Sequence, residues 1–172
     1  MTFFLYDAAL NGLYTLLFLQ NKFPVHQCLF KGTKDETLVD VAPYIFGIEN
    51  EVEKFNDLEL SLNEIIFLES TASVEELAQH FRDFIYQKVE ERECYFRFWD
   101  GRVLKKFLPT CTAIQLYLFF GPIDSFIVQE NSNAFRFRYD SINFITEKGT
   151  VEEFKPSLGS FVAKSLEKSS SN

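Results

Sequence analysis

The sequence predicts an α/β fold: a single lobe in which helices flank a mixed β-sheet, with an antiparallel hairpin toward the C-terminus. Three observations lead to this prediction. Short apolar runs alternate with helical segments, several helix starts carry capping residues, and alternating aromatic residues follow an Asn-Ser-Asn turn. A chain of 172 residues suits one domain. We expect residues 1–147 to form that α/β domain and residues 148–172 to form a tail.

The first third of the chain reads as short strands around one apolar helix. The predicted strands and helix are Phe3–Tyr6, helix Gly12–Asn21, Gln27–Phe30, Tyr44–Ile48 and Glu64–Leu68. Asp7 interrupts the apolar run directly after the first strand. A carboxylate at that position is expected to cap the following helix or turn, and a catalytic role is the less favoured alternative.

A capping box marks the start of the next helix. Ser73 and Glu76 have the spacing at which each side chain satisfies a backbone N–H of the first turn. Apolar residues then recur at helical spacing, and the opposite face is polar. The apolar set is Val74, Leu77, Ala78, Phe81, Phe84, Ile85 and Val89.

The segment that follows predicts a strand and two short helices. Cys94–Trp99 reads as a strand, and Asp100 is placed to cap a helix over Gly101–Leu108, which Pro109 ends. Either Thr110 or Thr112 can cap a second helix that runs through Phe120. Gly121 and Pro122 then form a helix exit.

The last strands form the predicted hairpin. Ile123–Val128 and Phe135–Tyr139 flank the Asn-Ser-Asn turn, and alternation places the arginines at 136 and 138 on the face opposite the aromatic residues. Ile142–Ile145 is a candidate for a further strand. Ser157–Lys168 is a candidate for a small amphipathic helix within the tail, with Leu158, Phe161, Val162 and Leu166 on one side.

The charge of the chain is uneven along its length. The formal net charge is −8, yet residues 32–93 carry 5 basic and 16 acidic groups, and residues 94–138 carry 6 basic and 3 acidic groups. An acidic protein of this kind does not suit general binding to nucleic acid or to anionic membranes. The acidic stretch is read either as a solvated surface or as a surface that steers one protein partner into register.

Catalytic and metal-binding motifs are not found in the sequence. It has no glycine-rich phosphate loop, no GxSxG or SxxK motif, and no His or Cys spacing typical of a zinc site. Cys28, Cys94 and Cys111 are expected to be buried, reduced thiols. The apolar start of the chain lacks the basic region and the cleavage site of a signal peptide, and we expect a cytoplasmic protein with no enzymatic activity, cofactor or small-molecule substrate.

One dense group of polar and aromatic residues lies at Tyr95–Arg102. If Tyr95–Trp99 is a strand, Arg97 shares a face with Trp99, close to Asp100 and Arg102. The pattern predicts an ion-pair cluster at a strand-to-helix turn. Such a cluster serves either as an internal network that holds the turn or as a site that binds a partner.

At this point the sequence resembles a known family, the type VI secretion adaptor/chaperones. The resemblance covers ordered blocks over roughly three quarters of the chain, and Gly101 stands where the family usually has proline. The blocks are Leu5–Ala9, Cys28–Gly32, Val41–Tyr44, Phe67–Ser70, Ser73–Leu77, Tyr95–Leu104, Phe107–Thr110, Gln115–Leu116 and Phe119–Pro122. Many members continue into a variable C-terminal lobe, and this sequence is similar mainly to the N-terminal lobe.

The resemblance implies a bacterial, cytoplasmic, non-enzymatic chaperone that binds a toxic effector and loads it onto the spike protein (VgrG) of the secretion apparatus. The residues expected to bind partners are Arg97, Trp99, Asp100, Arg102, Leu158, Phe161, Val162 and Leu166. The last four could equally cover the domain's own core. The alternative function is an immunity-type protein that neutralises a toxin by binding, with the acidic region covering a basic active site.

Overall fold

The protein is described by a computed structural model over residues 1–48, 65–130, 133–150 and 153–154. These residues form five helices and nine strands, which we number in chain order. The helices are α1 (Ala8–Asn11), α2 (Leu13–Lys22), α3 (Val74–Ile85), α4 (Gly101–Phe107) and α5 (Ala113–Phe120). The strands are β1 (Thr2–Asp7), β2 (His26–Cys28), β3 (Pro43–Gly47), β4 (Ile66–Ser70), β5 (Tyr86–Val89), β6 (Arg92–Tyr95), β7 (Ile123–Glu130), β8 (Asn133–Tyr139) and β9 (Phe144–Thr150). Two 3₁₀ turns lie at Val39–Val41 and Leu108–Thr110.

Seven of the strands form one sheet in the order β2-β3-β1-β4-β7-β8-β9, and β5 pairs with β6 alone. The predicted α/β class, with helices against a sheet and a hairpin toward the C-terminus, is confirmed. Every pairing between described strands is antiparallel, so the expected mixed sheet is not formed. The helical connection from β1 leads to β2, and β3 lies between these two strands, so their shared direction produces no parallel pair.

The core of the sheet is built largely from phenylalanine. Phe4, Phe46, Phe81, Phe98 and Phe126 are all less than 1% exposed. Phe81 stacks on Phe98 with ring centroids 4.9 Å apart, and Phe4 stacks on Phe46 at the same distance. Because each buried aromatic ring removes a large apolar area from water, these rings supply much of the driving force for folding.

The capping predictions are confirmed. Ser73 and Glu76 form the capping box of α3, and the N–H of Glu76 lies 3.2 Å from the Ser73 hydroxyl oxygen. Asp100 caps α4, and of the two candidate threonines it is Thr112 that caps α5. These contacts join residues two or three positions apart, so the local sequence alone specifies them.

The helix of the capping box is shorter than the apolar pattern suggests. It ends at Ile85, and the chain turns into the β5–β6 hairpin, where Val89 is exposed. The turn of this hairpin holds Glu90 and Glu91 at positive φ, the backbone conformation of a tight two-residue hairpin turn. Cross-strand pairing of Tyr86 with Tyr95 therefore replaces the last helical turn.

Two further predictions for this region are wrong. The strand expected over Cys94–Trp99 ends at Tyr95, because the chain bends toward the cap of α4 and the backbone N–H of Phe98 bonds to the carbonyl of Phe96. Cys94 is exposed, since it lies on a hairpin that pairs only with itself among the described strands. Cys28 and Cys111 are half-buried, and all three thiols are free.

The C-terminal hairpin is confirmed, and the further strand is also present. Strands β7 and β8 pair from Ser125 opposite Arg138 to Glu130 opposite Asn133, and β9 adds to β8. Arg136 and Arg138 share a face, since both contact Glu147. Strand β9 runs to Thr150, so the expected domain boundary at residue 147 falls inside it.

The predicted tail helix and its stripe of Leu158, Phe161, Val162 and Leu166 lie outside the described residues. Within the residues that are described, no helix combines the length and the apolar character needed to cross a membrane.

Candidate protein-binding surfaces

A cluster of four charged side chains lies where β1 ends and α1 begins. Asp7 is the last residue of β1 and is 3% exposed. Its Oδ1 accepts hydrogen bonds from the backbone N–H groups of Ala9 at 3.0 Å and Leu10 at 3.3 Å, and it thereby caps α1 as predicted. Its Oδ2 accepts from the guanidinium of Arg97. The buried carboxylate of Asp7 therefore joins the end of β1 to Arg97, which lies between β6 and α4.

The second pair of the cluster lies at the start of α4. The Oδ1 of Asp100 accepts from the backbone N–H of Arg102 at 2.9 Å and from its Nε at 3.1 Å, while Oδ2 accepts from Nη2 at 2.8 Å. This is the bidentate arrangement in which arginine binds a carboxylate most strongly. Burial by itself would raise the pKa of Asp100, but the hydrogen bonds from Arg102 and the nearby charge of Arg97 lower it overall.

The structure thus brings together three of the predicted residues, with Asp7 as the fourth member. The side chains of Arg97 and Arg102 are 45% and 57% exposed, whereas the Asp100 side chain is 5% exposed beneath Arg102. Trp99 is 4% exposed and packs edge-on against Phe98. Partner binding through this segment stays a prediction, and the two guanidinium groups are the parts of it that reach the surface.

A second network ties an exposed loop to the β5–β6 hairpin. The hydroxyl groups of Tyr86 and Tyr95 both donate to Oδ2 of Asp35, each at 2.7 Å. The Nζ of Lys34 lies 4.6 Å from the ring centroid of Tyr86 and pairs with Glu93 on the hairpin. The hydrogen bond to Asp35 raises the pKa of Tyr95 to about 12. The sequence carries no local sign of this network, because Asp35 is 51 and 60 residues away from its two partners.

Apolar side chains remain exposed at two places on the helices. On the first two helices they are Leu10, Leu13, Tyr14, Leu17 and Phe18, which we call the N-terminal apolar face. On α5 they are Ile114, Tyr117 and Leu118, next to a groove of about 370 Å³ that is bordered by the hairpin. The sequence held one indication of the first face, since residues 13–19 of α2 are apolar apart from Thr15, and a helix that is mostly apolar needs contacts on more than one side.

The described residues contain no group of three His, Cys, Asp or Glu side chains that could hold a metal ion. The exposed features described above are the guanidinium groups of Arg97 and Arg102, the network of Asp35 with Tyr86 and Tyr95, and the apolar faces of α2 and α5. Features of these kinds are found at protein–protein interfaces.

Comparison with known proteins assigns the chain to a family. A family model described as "Domain of unknown function (DUF4123)" matches residues 2–117. No curated protein and no solved structure matches the chain. The matched range contains β1 through most of α5, and with them the whole charged cluster. The chain therefore belongs to the DUF4123 family.

Proposed function

We propose that this protein is an adaptor of a type VI secretion system, a chaperone that binds a toxic effector and helps load it onto the spike protein. The observation that carries the proposal is the family match over residues 2–117. Nearly all the sequence blocks that resemble type VI adaptors fall inside that range. The match gives the family, and the resemblance of these blocks supports the role in secretion within it.

The surface of the protein supports a binding role. The guanidinium groups of Arg97 and Arg102 are held from below by buried carboxylates, so they lose little conformational entropy when a partner binds them. The exposed faces of α2 and α5 offer apolar area of the kind that marks interaction sites. Together these features suit a protein that holds another polypeptide.

Coexpression of the protein with the effector and the spike protein from its own host tests the proposal. We expect a stable complex of the three proteins in size-exclusion chromatography. Changing both Arg97 and Arg102 to alanine is expected to weaken it, with Arg138→Ala as the matched control. The Arg138 side chain is 46% exposed and also forms an ion pair, but it lies on β8. Absence of any complex with the wild-type protein would sink the proposal.

A growth assay separates this function from the immunity-type alternative. The effector is expressed in cells that contain no secretion apparatus, with and without this protein. An adaptor only carries its cargo, so we expect the toxin to remain active in both cultures. Full rescue of growth by this protein would instead identify a neutralising function.

A further inference from the structure

Helix α5 is apolar on its exposed side as well as on its buried side. Gln115 is the sole residue of α5 that is neither apolar nor aromatic. Three of the other side chains nevertheless face solvent, since Ile114 is 73% exposed, Tyr117 64% and Leu118 56%. A helix that is apolar all round is normally buried all round. The exposed side of α5 is therefore suited to contact with a second apolar surface.

This exposed side forms a ridge, and a groove runs beside it. At about 100° per residue, Ile114 and Leu118 lie opposite the buried residues of α5 and form the ridge, while Gln115 lies on the flank toward the groove. The groove has a volume of about 370 Å³, and the β5–β6 hairpin borders its other side through Val89 and Cys94. A convex and a concave apolar feature thus lie next to each other on one surface.

Neither the ridge nor the lining of the groove carries a charge. The nine residues that line the groove are all uncharged, and they include the rings of Phe84, Phe96 and Phe107. In the sequence no charged residue occurs between Lys106 and Asp124, although 24% of the chain is charged. An apolar partner can therefore cover this surface without burying a charged group, which would be costly.

We propose that two copies of this chain associate through this surface around a twofold axis. The ridge of one copy enters the groove of the other, and the symmetry repeats the same contact in the opposite sense. Ile114 of each copy supplies the side chain that enters the groove, and Leu118 lies near the axis. The inference goes beyond the proposed secretion role and does not depend on it.

A second copy fits because a twofold axis covers a neighbouring ridge and groove at the same time. Each hairpin forms the far wall of its own groove, so the two hairpins lie on opposite outer sides of the paired helices. The exposed Glu90 and Glu91 of the two hairpin turns therefore stay apart. An anionic membrane that approached the groove would instead meet these two glutamates and be repelled.

The size of the surface indicates how strong the association is. The ridge, together with the exposed side chains of Tyr117, Val89 and Tyr95, offers roughly 500 Å² of surface in each copy. A total of about 1,000 Å² lies at the low end of specific protein–protein interfaces. We therefore expect a weak, reversible dimer with a dissociation constant of about 10–300 µM.

Analytical ultracentrifugation of the full chain tests the proposal. The wild-type protein is expected to pass reversibly from monomer to dimer between about 5 µM and about 1 mM. The dimer is expected to persist in about 1 M salt, because the contact is apolar and salt screens the repulsion between two chains of net charge −8.

Matched variants locate the contact. Ile114→Glu combined with Leu118→Glu is expected to raise the dissociation constant of the dimer at least about tenfold, because four carboxylates would meet in an apolar contact. The control is Tyr14→Glu combined with Leu17→Glu on the N-terminal apolar face, where the original side chains are 91% and 54% exposed. It is expected to dimerise like the wild type. All four positions are exposed, so both variants are expected to unfold at the wild-type temperature.

A disulfide cross-link tests whether the ridge enters the groove. Because Cys94 lines the groove, an Ile114→Cys variant places a second thiol where it meets Cys94 of the other copy. Oxidised glutathione is expected to convert this variant into a covalent dimer, in which mass spectrometry finds position 114 linked to Cys94. The matched control, Tyr14→Cys on α2, is expected to form no link to Cys94.

Several results would overturn the proposal. They are a wild-type protein that stays monomeric at about 1 mM, a dimer that dissociates in high salt, and a dimer that survives the changes on α5. A dimer that the changes at Tyr14 and Leu17 abolish would assign the contact to the N-terminal apolar face. A monomeric protein whose α5 variant fails to bind the effector or the spike protein would assign the surface to that partner.

Discussion

Asp7 holds two distant parts of the chain with one carboxylate. One oxygen caps α1, and the other pairs with Arg97, which is 90 residues further along. The carboxylate is almost fully buried, while the arginine is half exposed. Asp7 therefore stabilises the fold and sets the position of a surface charge.

Replacing Asp7 by alanine is expected to lower the free energy of unfolding by about 1–3 kcal/mol, because a helix cap and an ion-pair partner are lost together. Asp7→Asn retains an oxygen that can cap the helix, so its loss is expected to be smaller. Urea unfolding measures both. The control is Asp124→Ala at an exposed position of β7, expected to change stability by less than about 0.5 kcal/mol. If Asp7→Ala matched that control, the dual role would be wrong.

Gly121 ends α5 in a place where only glycine fits. Its φ is +48°, and a Cβ atom built there would lie 2.4 Å from Cε1 of His80. The imidazole of His80 cannot easily move away, because its Nε2 lies 2.8 Å from the carbonyl oxygen of Phe119. Backbone conformation and close packing thus both require glycine.

Gly121→Ala is expected to lower the free energy of unfolding by about 2–4 kcal/mol, because alanine is strained at this positive φ and its Cβ would also clash with His80. Gly32→Ala separates these two contributions, because Gly32 has φ of +76° and a Cβ atom added to it would meet no atom within 4 Å. It is expected to cost about 1 kcal/mol, from the backbone alone. Thermal unfolding of both variants gives the comparison. Equal losses of stability would show that the His80 side chain moves aside to make room for the added Cβ atom.

At the scale of elements, the β5–β6 hairpin is attached to the rest of the molecule through Asp35. Hydrogen bonds from Tyr86 and Tyr95 lower the pKa of Asp35. The bond between Tyr95 and Asp35 also raises the pKa of Tyr95 to about 12. The stabilisation from Asp35 is therefore complete above its unfolded pKa of about 3.9 and is lost as the pH falls through its lower folded value. That from Tyr95 is complete below about pH 10 and is lost as the pH rises through about 12.

Asp35→Asn is accordingly expected to be less stable than the wild type by a constant amount between about pH 5 and pH 9. The difference is expected to shrink as the pH falls from about 4 through the lowered pKa of the folded carboxyl, because the wild-type group then also becomes neutral. Urea unfolding across this range measures it. Asp83→Asn, on the exposed side of α3, is the control and is expected to show no such difference. A gap independent of pH down to about pH 2 would contradict the assignment.

At the scale of the whole molecule, the matched family region and the folded unit have different ends. The match stops at residue 117, inside α5, whereas β7 pairs with β4 at the centre of the sheet. Phe126 of β7 stacks on Phe119 with ring centroids 5.6 Å apart. The strands beyond the match therefore complete the core of the part that matches.

A fragment of residues 1–117 is expected to lack a cooperative unfolding transition, because Ile66 and Leu68 of β4 lose the strand that pairs with them. Circular dichroism during heating tests this. The control fragment ends at residue 154 and keeps every strand of the sheet, so it is expected to retain the transition. Cooperative unfolding of the 1–117 fragment would show that the matched region folds by itself.

The sequence predicted best the elements that begin with a cap. Ser73, Asp100 and Thr112 each start a helix where expected, since their hydrogen bonds reach only two or three residues ahead. It predicted least well the segment after Tyr95, where alternating aromatic residues suggested a strand. Phe96 and Phe98 are packed by rings from α4 and α5, and that packing outweighs the local preference for an extended chain.

The sequence by itself determined the α/β class, the helix caps, the C-terminal hairpin and the aromatic composition of the core. All of these depend on neighbours within a few residues or on composition alone. The tertiary structure alone decided the antiparallel order of the sheet, the pairing of Asp7 with Arg97 and the exposure of one side of α2. These features depend on contacts between residues that are far apart in the sequence, and a local sequence pattern does not specify such contacts.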